Sequence, residues 1–197
     1  MITDIIEATK TALEKMDKNY CTLSQIDYFK LDDKIVESAK KEKYLERPFA
    51  YEFYHQLRKL MDCGTVDFGD CVIQAEVDKR YQHCFEKGKI PDFIIHVPGK
   101  KENFAVLEFK LTSNLYNIND DFEKLVEFRT NSELKYERII EVIIGSKDSL
   151  KRAKKRIETE FNNVKYKGVK IIEEVTIIEF DTDSDSWKAE VWDKFRQ

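Results

Sequence analysis

The chain has 197 residues, of which 42% are apolar and 37% are charged, and its formal net charge is −4. This apolar content excludes disordered, collagen-like and linker proteins and is typical of one compact domain with a substantial buried core. No apolar run reaches the ~20 residues that a membrane-spanning helix needs. The first residues lack the basic and apolar regions of a signal peptide, so we expect a cytoplasmic protein without a membrane partner.

The four cysteines are Cys21, Cys63, Cys71 and Cys84, and they contain no Cys-x-x-Cys pair. This spacing indicates neither a disulfide framework nor a zinc ribbon, and it favours reduced thiols. A zinc ion held by the last three cysteines and His83 is an alternative. Buried small apolar thiols are the favoured interpretation.

The N-terminal part of the chain shows helical spacing of its apolar residues. The pattern predicts amphipathic helices over residues 2–18 and 31–45. A third helix is predicted over residues 48–61, with a proline in its first turn and Gly64 beyond its end. Glu52 lies at the border of the apolar stripe of this helix.

Beyond Gly64 the pattern changes to period-two alternation and continuous apolar runs, which predict strands. The predicted elements are strands at 71–77, 92–97 and 104–111, a helix at 119–130, a strand at 139–144, a helix at 150–161 and a strand at 175–180. This order implies an α/β fold with a mixed sheet, antiparallel at first and parallel afterwards, with helices on both faces. We expect residues 1–46 to form a helical extension packed on a domain of residues 47–197, the whole being compact.

Positive charge is concentrated in residues 147–170, where nine Lys or Arg residues stand against three acids, a local charge of +6. Such a run is usually a solvated helix face. A locally positive patch on an acidic protein is also suited to phosphate contacts. Lys151, Arg152 and Lys155 are the candidates here.

Two of the predicted strands carry charged residues inside apolar runs. If the hairpin that joins these strands turns about Lys100, Asp92 lies opposite Glu108, and strand alternation puts Glu108 and Lys110 on one face. Two adjacent carboxylates are costly to bury unless positive charge neutralises them. Lys110 supplies one charge, and a divalent cation would supply the rest.

Pro91-Asp92, followed after fifteen residues by Glu108-Phe109-Lys110, resembles the PD-(D/E)XK signature of the restriction-endonuclease-like nuclease superfamily. The order of one helix, three strands, one helix and one strand also resembles the αβββαβ core of that superfamily. The likeness covers about half of the chain, and the last helix and strand would be a C-terminal αβ addition.

The resemblance implies a Mg²⁺-dependent (or Mn²⁺-dependent) phosphodiester hydrolase that acts on nucleic acid, with DNA as the expected substrate. In the superfamily the Asp and Glu of the signature bind the metal, and the Lys positions or activates the attacking water. These roles carry over to Asp92, Glu108 and Lys110. A helix glutamate often adds a metal contact, which implies Glu52, and a backbone carbonyl at Phe109 would be a further ligand.

The segment Asp121-x-x-Lys124 in the following helix resembles a recurrent stretch of the superfamily in which a basic residue approaches the phosphate. Lys124 therefore joins the phosphate-binding candidates.

Other interpretations stay open at this point. Asp92 could simply end a turn, with Glu108 and Lys110 paired on a solvated edge strand. The overall acidity is also consistent with a binding or interaction module that keeps the nuclease fold without turnover. Finally, the N-terminal helices could pair with a second copy of the chain to form a homodimer.

Overall fold

The structure, a computed structural model, describes residues 2–23, 43–76, 90–161, 164–166, 168–183 and 187–192. His83 and Cys84 of the alternative zinc site lie outside these ranges, as does the predicted helix at 31–45 apart from its last three residues. Cys21, Cys63 and Cys71 are free thiols.

The N-terminal elements are α1 (Ile5–Glu14), α2 (Lys18–Cys21), β1 (Thr22–Leu23), β2 (Lys43–Tyr44) and α3 (Glu46–Asp62). The carboxylate of Asp4 caps α1 by accepting hydrogen bonds from the first free backbone N–H groups of the helix. Residues 43–44 pair antiparallel with β1, so the prediction of helix was wrong there. Pairing with a distant segment overrides local helical spacing at these two residues.

The elements that follow are β3 (Val72–Ala75), β4 (Phe93–His96), β5 (Asn103–Leu111), a 3₁₀ helix (Thr112–Asn117), α4 (Ile118–Thr130), β6 (Arg138–Gly145), α5 (Lys147–Phe161), β7 (Lys165–Tyr166), β8 (Val169–Lys170), α6 (Ile171–Glu174), β9 (Thr176–Asp181) and β10 (Lys188–Val191). Every strand and helix predicted beyond Gly64 is confirmed with shifted ends. The β7–β8 hairpin, α6 and β10 were not predicted.

Six of the strands form one sheet in the order β10-β9-β6-β5-β4-β3. The β3–β4 and β4–β5 pairs are antiparallel, whereas β5–β6 and β6–β9 are parallel. The predicted α/β fold with a mixed sheet is therefore confirmed. Because β5, β6 and β9 run in the same direction, their C-terminal ends share one edge of the sheet.

The register of the β4–β5 hairpin follows the sequence prediction. Phe93 lies opposite Leu107 and Ile95 lies opposite Ala105, with a shift only at the next residue. β5 lies between β4 and β6, and the residues Glu108 and Lys110 on it are only 4% and 7% exposed. The interpretation of a solvated edge strand is therefore wrong.

Helices cover both faces of the sheet, and each face has its own apolar core. On one face α3 packs against Phe109 of β5, and α1 packs against α3 and β10 in the same core. On the other face α4 and α5 share a second core with Val106. The apolar stripe of α1 is buried within this chain, so it is part of the core. Within the described ranges, no helix has the length and hydropathy to cross a membrane.

Gly145, at the end of β6, allows α5 and the 3₁₀ helix to approach the sheet closely. A Cβ atom there would collide with the side chains of Thr112 and Ser149, which hydrogen-bond to each other at 2.9 Å. We expect Gly145→Ala to lower the free energy of unfolding by about 1–3 kcal/mol, because overpacking forces neighbouring groups apart. Urea denaturation measures this change.

The double variant Gly145→Ala, Thr112→Ala lacks most of one of the two colliding side chains. It should therefore recover part of the free energy of unfolding that Gly145→Ala loses. Equal stability of the wild type and Gly145→Ala would contradict the close packing described here.

Candidate active site

Charged side chains converge where β4 begins and β5 approaches its C-terminal end. We call this group the acidic cluster, which comprises five carboxylates and two lysines: Glu46, Asp92, Glu108, Asp121, Glu141, Lys110 and Lys124. Its acids outnumber its bases by three. The Glu108, Lys110, Asp121 and Glu141 residues are buried, so their charges are poorly screened by water.

Asp92 comes directly before β4 and lies against the backbone of β5. Its Oδ2 accepts a hydrogen bond of 2.7 Å from the N–H of Phe109, the residue between Glu108 and Lys110. This contact brings together the two halves of the motif found in the sequence. Burial raises the pKa of Asp92 to about 6, and the Phe109 hydrogen bond and the charge of Lys124 oppose the rise.

Glu108 lies on β5 and is paired with the lysine of the next helix. Lys124 Nζ is 2.8 Å from Glu108 Oε1, which is a short ion-pair distance. Burial, reinforced by the charge of Asp92, raises the pKa of Glu108 well above its usual range despite Lys124. A single lysine therefore only partly compensates this carboxylate.

Lys110 has its own acidic partners. Its Nζ lies 2.8 Å from Asp121 Oδ2 and 3.7 Å from Glu46 Oε1. Burial alone would lower the pKa of this ammonium, but the contact with Asp121 and the charges of Glu46 and Glu141 raise it above its ordinary value. Lys110 therefore remains protonated and acts as a fixed positive charge.

The helix glutamate in the cluster is Glu46 instead of the predicted Glu52. Glu52 Oε1 accepts hydrogen bonds from the N–H of Asp17 (3.1 Å) and from the side chain of Gln56 (2.6 Å). The six intervening steps turn an ideal helix by about 600°, so the two glutamates point about 120° apart. Glu52 thus holds the start of α2, and its assignment as a metal ligand is corrected.

Glu141 on β6 was missed by the sequence analysis. It lies beside Glu108 in the parallel β5–β6 pairing and is 0% exposed. Within the described part of the chain, neither of its carboxylate oxygens has a hydrogen-bond partner. Burial, with the charges of Asp121 and Glu108, raises the pKa of Glu141 well above its usual range. The only sequence signal is one acid inside the apolar run of β6.

The predicted phosphate-binding residues separate into two groups. Lys124 belongs to the acidic cluster, where it also lies 3.4 Å from Asp121 Oδ1 and 3.4 Å from the carbonyl oxygen of Ile90. Lys151, Arg152 and Lys155 are exposed on α5, and Lys151 pairs weakly with Asp148 at 3.9 Å. None of the ion pairs described for α5 reaches the cluster.

Among the described residues, no three His, Cys, Asp or Glu side chains are close enough together to bind one metal ion. The protein side chains alone therefore do not form a complete metal site in this part of the chain. Comparison of the chain with models of known families, with curated proteins and with solved structures found no match.

The raised pKa of Asp92 gives a testable pH dependence of stability. Between about pH 4 and pH 6 the folded protein keeps a proton on Asp92 that the unfolded chain releases, so raising the pH destabilises the fold. Glu108 and Glu141 act in the same direction. In metal-free buffer, Asp92→Asn should lose less stability than the wild type over this interval.

The measurement is the free energy of unfolding from urea titrations at several pH values, with Asp148→Asn as the control, because Asp148 is exposed on α5. If the free energy of unfolding changes with pH equally in the wild type and in Asp92→Asn, the pKa of Asp92 is not raised as described.

Proposed function

We propose that this protein is a Mg²⁺-dependent nuclease with a restriction-endonuclease-like core, hydrolysing phosphodiester bonds of DNA. The observation that carries the proposal is the position of Asp92 against Phe109, beside Glu108 and Lys110, which are buried near the C-terminal end of β5. Buried charges of this kind cost stability, and clusters of them with perturbed pKa values concentrate at functional sites.

The topology supports the proposal. The helix α3, the antiparallel strands β3, β4 and β5, the helix α4 and the parallel strand β6 follow the αβββαβ order of the PD-(D/E)XK core. In α/β sheets, ligands bind outside the C-terminal ends of the parallel strands. Glu108 and Lys110 lie near that end of β5.

The donor set fits a hard divalent cation. Mg²⁺ prefers carboxylate oxygens, and it is usually held by one or two carboxylates together with waters and substrate phosphates. Asp92 and Glu108 would hold the ion, with the carbonyl of Phe109 as a backbone ligand. The acidic cluster has three more carboxylates than lysines, and a divalent cation would offset two of these surplus negative charges.

When bound, the cation would polarise the phosphate and lower the pKa of a bound water. The chain itself contributes a lysine that stays charged. Lys110 can orient the attacking water by donating a hydrogen bond to it, and it can stabilise the extra negative charge on the phosphate in the transition state. A lysine that retains its proton is unsuited to act as the general base. Asp121 holds the Lys110 ammonium in place through the 2.8 Å contact.

Replacement of the signature residues tests the proposal. We expect Asp92→Asn and Lys110→Met to reduce Mg²⁺-dependent cleavage of DNA by about 10²-fold or more, since each removes a charge that acts on the reacting phosphate. Plasmid, linear duplex and single-stranded DNA are the substrates, and gel electrophoresis follows their cleavage.

Asp148→Asn and Lys100→Met are the matched controls, because Asp148 is exposed on α5 and Lys100 is exposed in the turn between β4 and β5. Absence of cleavage of all three DNA substrates by the folded wild type, or cleavage that Asp92→Asn and Lys110→Met leave unchanged, would refute the proposal.

A second candidate function is a binding or interaction module that keeps the fold without turnover. The specific observation in its favour is the 2.8 Å contact of Lys124 with Glu108, which places a protein cation where the metal's charge would act. If this pair is permanent, Lys124 keeps Glu108 from binding a metal. If the protein is a nuclease, the pair must open when the metal binds.

Calorimetric titration with Mn²⁺ discriminates the two functions. The nuclease proposal predicts saturable heat of binding that Asp92→Asn abolishes. It also predicts that Lys124→Met binds Mn²⁺ more tightly than the wild type, because this variant lacks the ammonium group that competes with the metal for Glu108. No heat with the wild type and with Lys124→Met would favour the inactive module.

A further inference from the structure

A cavity opens directly beside the acidic cluster, between α3 and the start of β4. Its volume is about 330 Å³, and its walls include Glu46 and Asp92 of the cluster. This volume is at the small end of the range for ligand pockets, ~300–1,000 Å³. The cavity therefore adjoins the proposed reacting phosphate and has room for one small unit of a substrate.

The outer walls of the cavity carry apolar side chains that are open to water. Tyr51 of α3 is 56% exposed and Ile90 is 44% exposed, and both line this cavity. Single exposed apolar residues are common on protein surfaces. An aromatic ring and an aliphatic side chain on the walls of one cavity, next to a polar cluster, instead form a surface on which a flat ring can stack.

A positive side chain completes the cavity. The side chain of Arg47 is 77% exposed, and its only partner among the described ion pairs is Glu76, at 3.7 Å. A contact of this length between exposed groups is weak and easily exchanged. Arg47 is therefore available to a phosphate at the mouth, whereas Glu46 and Asp92 repel anions from the interior.

We infer that this cavity binds one unpaired nucleotide next to the scissile phosphate, with the base stacked on Tyr51 and a flanking phosphate on Arg47. The inference rests on the proposed nuclease function and deepens it. A neutral base suits the cavity because its walls repel an anion. In a duplex both faces of each base are stacked on neighbouring bases, so only an unpaired nucleotide can present a face to Tyr51. The substrate class is then single-stranded DNA, or duplex DNA with unpaired ends.

Binding is measured separately from cleavage, by fluorescence anisotropy of a fluorescein-labelled oligodeoxythymidylate in the presence of Ca²⁺. We expect the wild type to bind this single strand more tightly than a blunt duplex of equal length. Tyr51→Ala should weaken single-strand binding by about tenfold, and Tyr51→Phe should not, because the phenyl ring still stacks. Because Tyr51 is largely exposed, neither variant should impair folding.

Tyr20→Ala is the matched control, since Tyr20 is 70% exposed on α2 and lies outside the cavity. The inference would be overturned if Tyr51→Ala bound the single strand as tightly as the wild type, or if Tyr20→Ala lost as much affinity as Tyr51→Ala. It would also be overturned if the wild type preferred the blunt duplex or bound neither DNA.

The cleavage assay distinguishes this failure from failure of the proposed function. Cleavage that depends on Asp92, with single-strand binding that does not depend on Tyr51, refutes the nucleotide cavity and leaves the nuclease. Tyr51-dependent binding without cleavage supports the nucleotide cavity and refutes the nuclease.

Discussion

The burial of more carboxylates than lysines at one edge of the sheet is the constraint on which the rest of the structure depends. Desolvated charges without partners cost several kcal/mol each, so a cluster with three surplus acids is stable only if protons or a cation compensate them. Burial raises the pKa values of Asp92, Glu108 and Glu141, which favours protons on these carboxyls in the metal-free protein. A divalent cation would replace them at neutral pH.

The fold meets this constraint by keeping its two apolar cores separate from the charges. On β5, Leu107 and Phe109 face α3, whereas Glu108 and Lys110 face the side that α4 covers. The α4 helix then supplies both Asp121, which holds Lys110, and Lys124, which holds Glu108. Alternation along one strand thus builds the site and the core together.

Sequence reasoning predicted those parts of the site that depend on local geometry. The turn after β4 fixed the register that brings Asp92 to Glu108, and period-two alternation placed Lys110 on the same face. Glu46 could not be chosen over Glu52 from the sequence, because the choice depends on where α3 begins and on which face of α3 packs against the sheet. Glu141 could not be recognised because its role depends on parallel pairing with β5, which is set by a crossover helix and not by local pattern.

The central claim is that the acidic cluster is built to receive a divalent cation between Asp92 and Glu108. A crystal structure of the wild-type protein soaked in Mn²⁺, with data collected to locate the anomalous scatterer, tests it most directly. The account predicts an anomalous peak coordinated by both carboxylates, with Lys124 moved away from Glu108. Absence of a peak at these residues at millimolar Mn²⁺, with the Lys124–Glu108 contact intact, would contradict it.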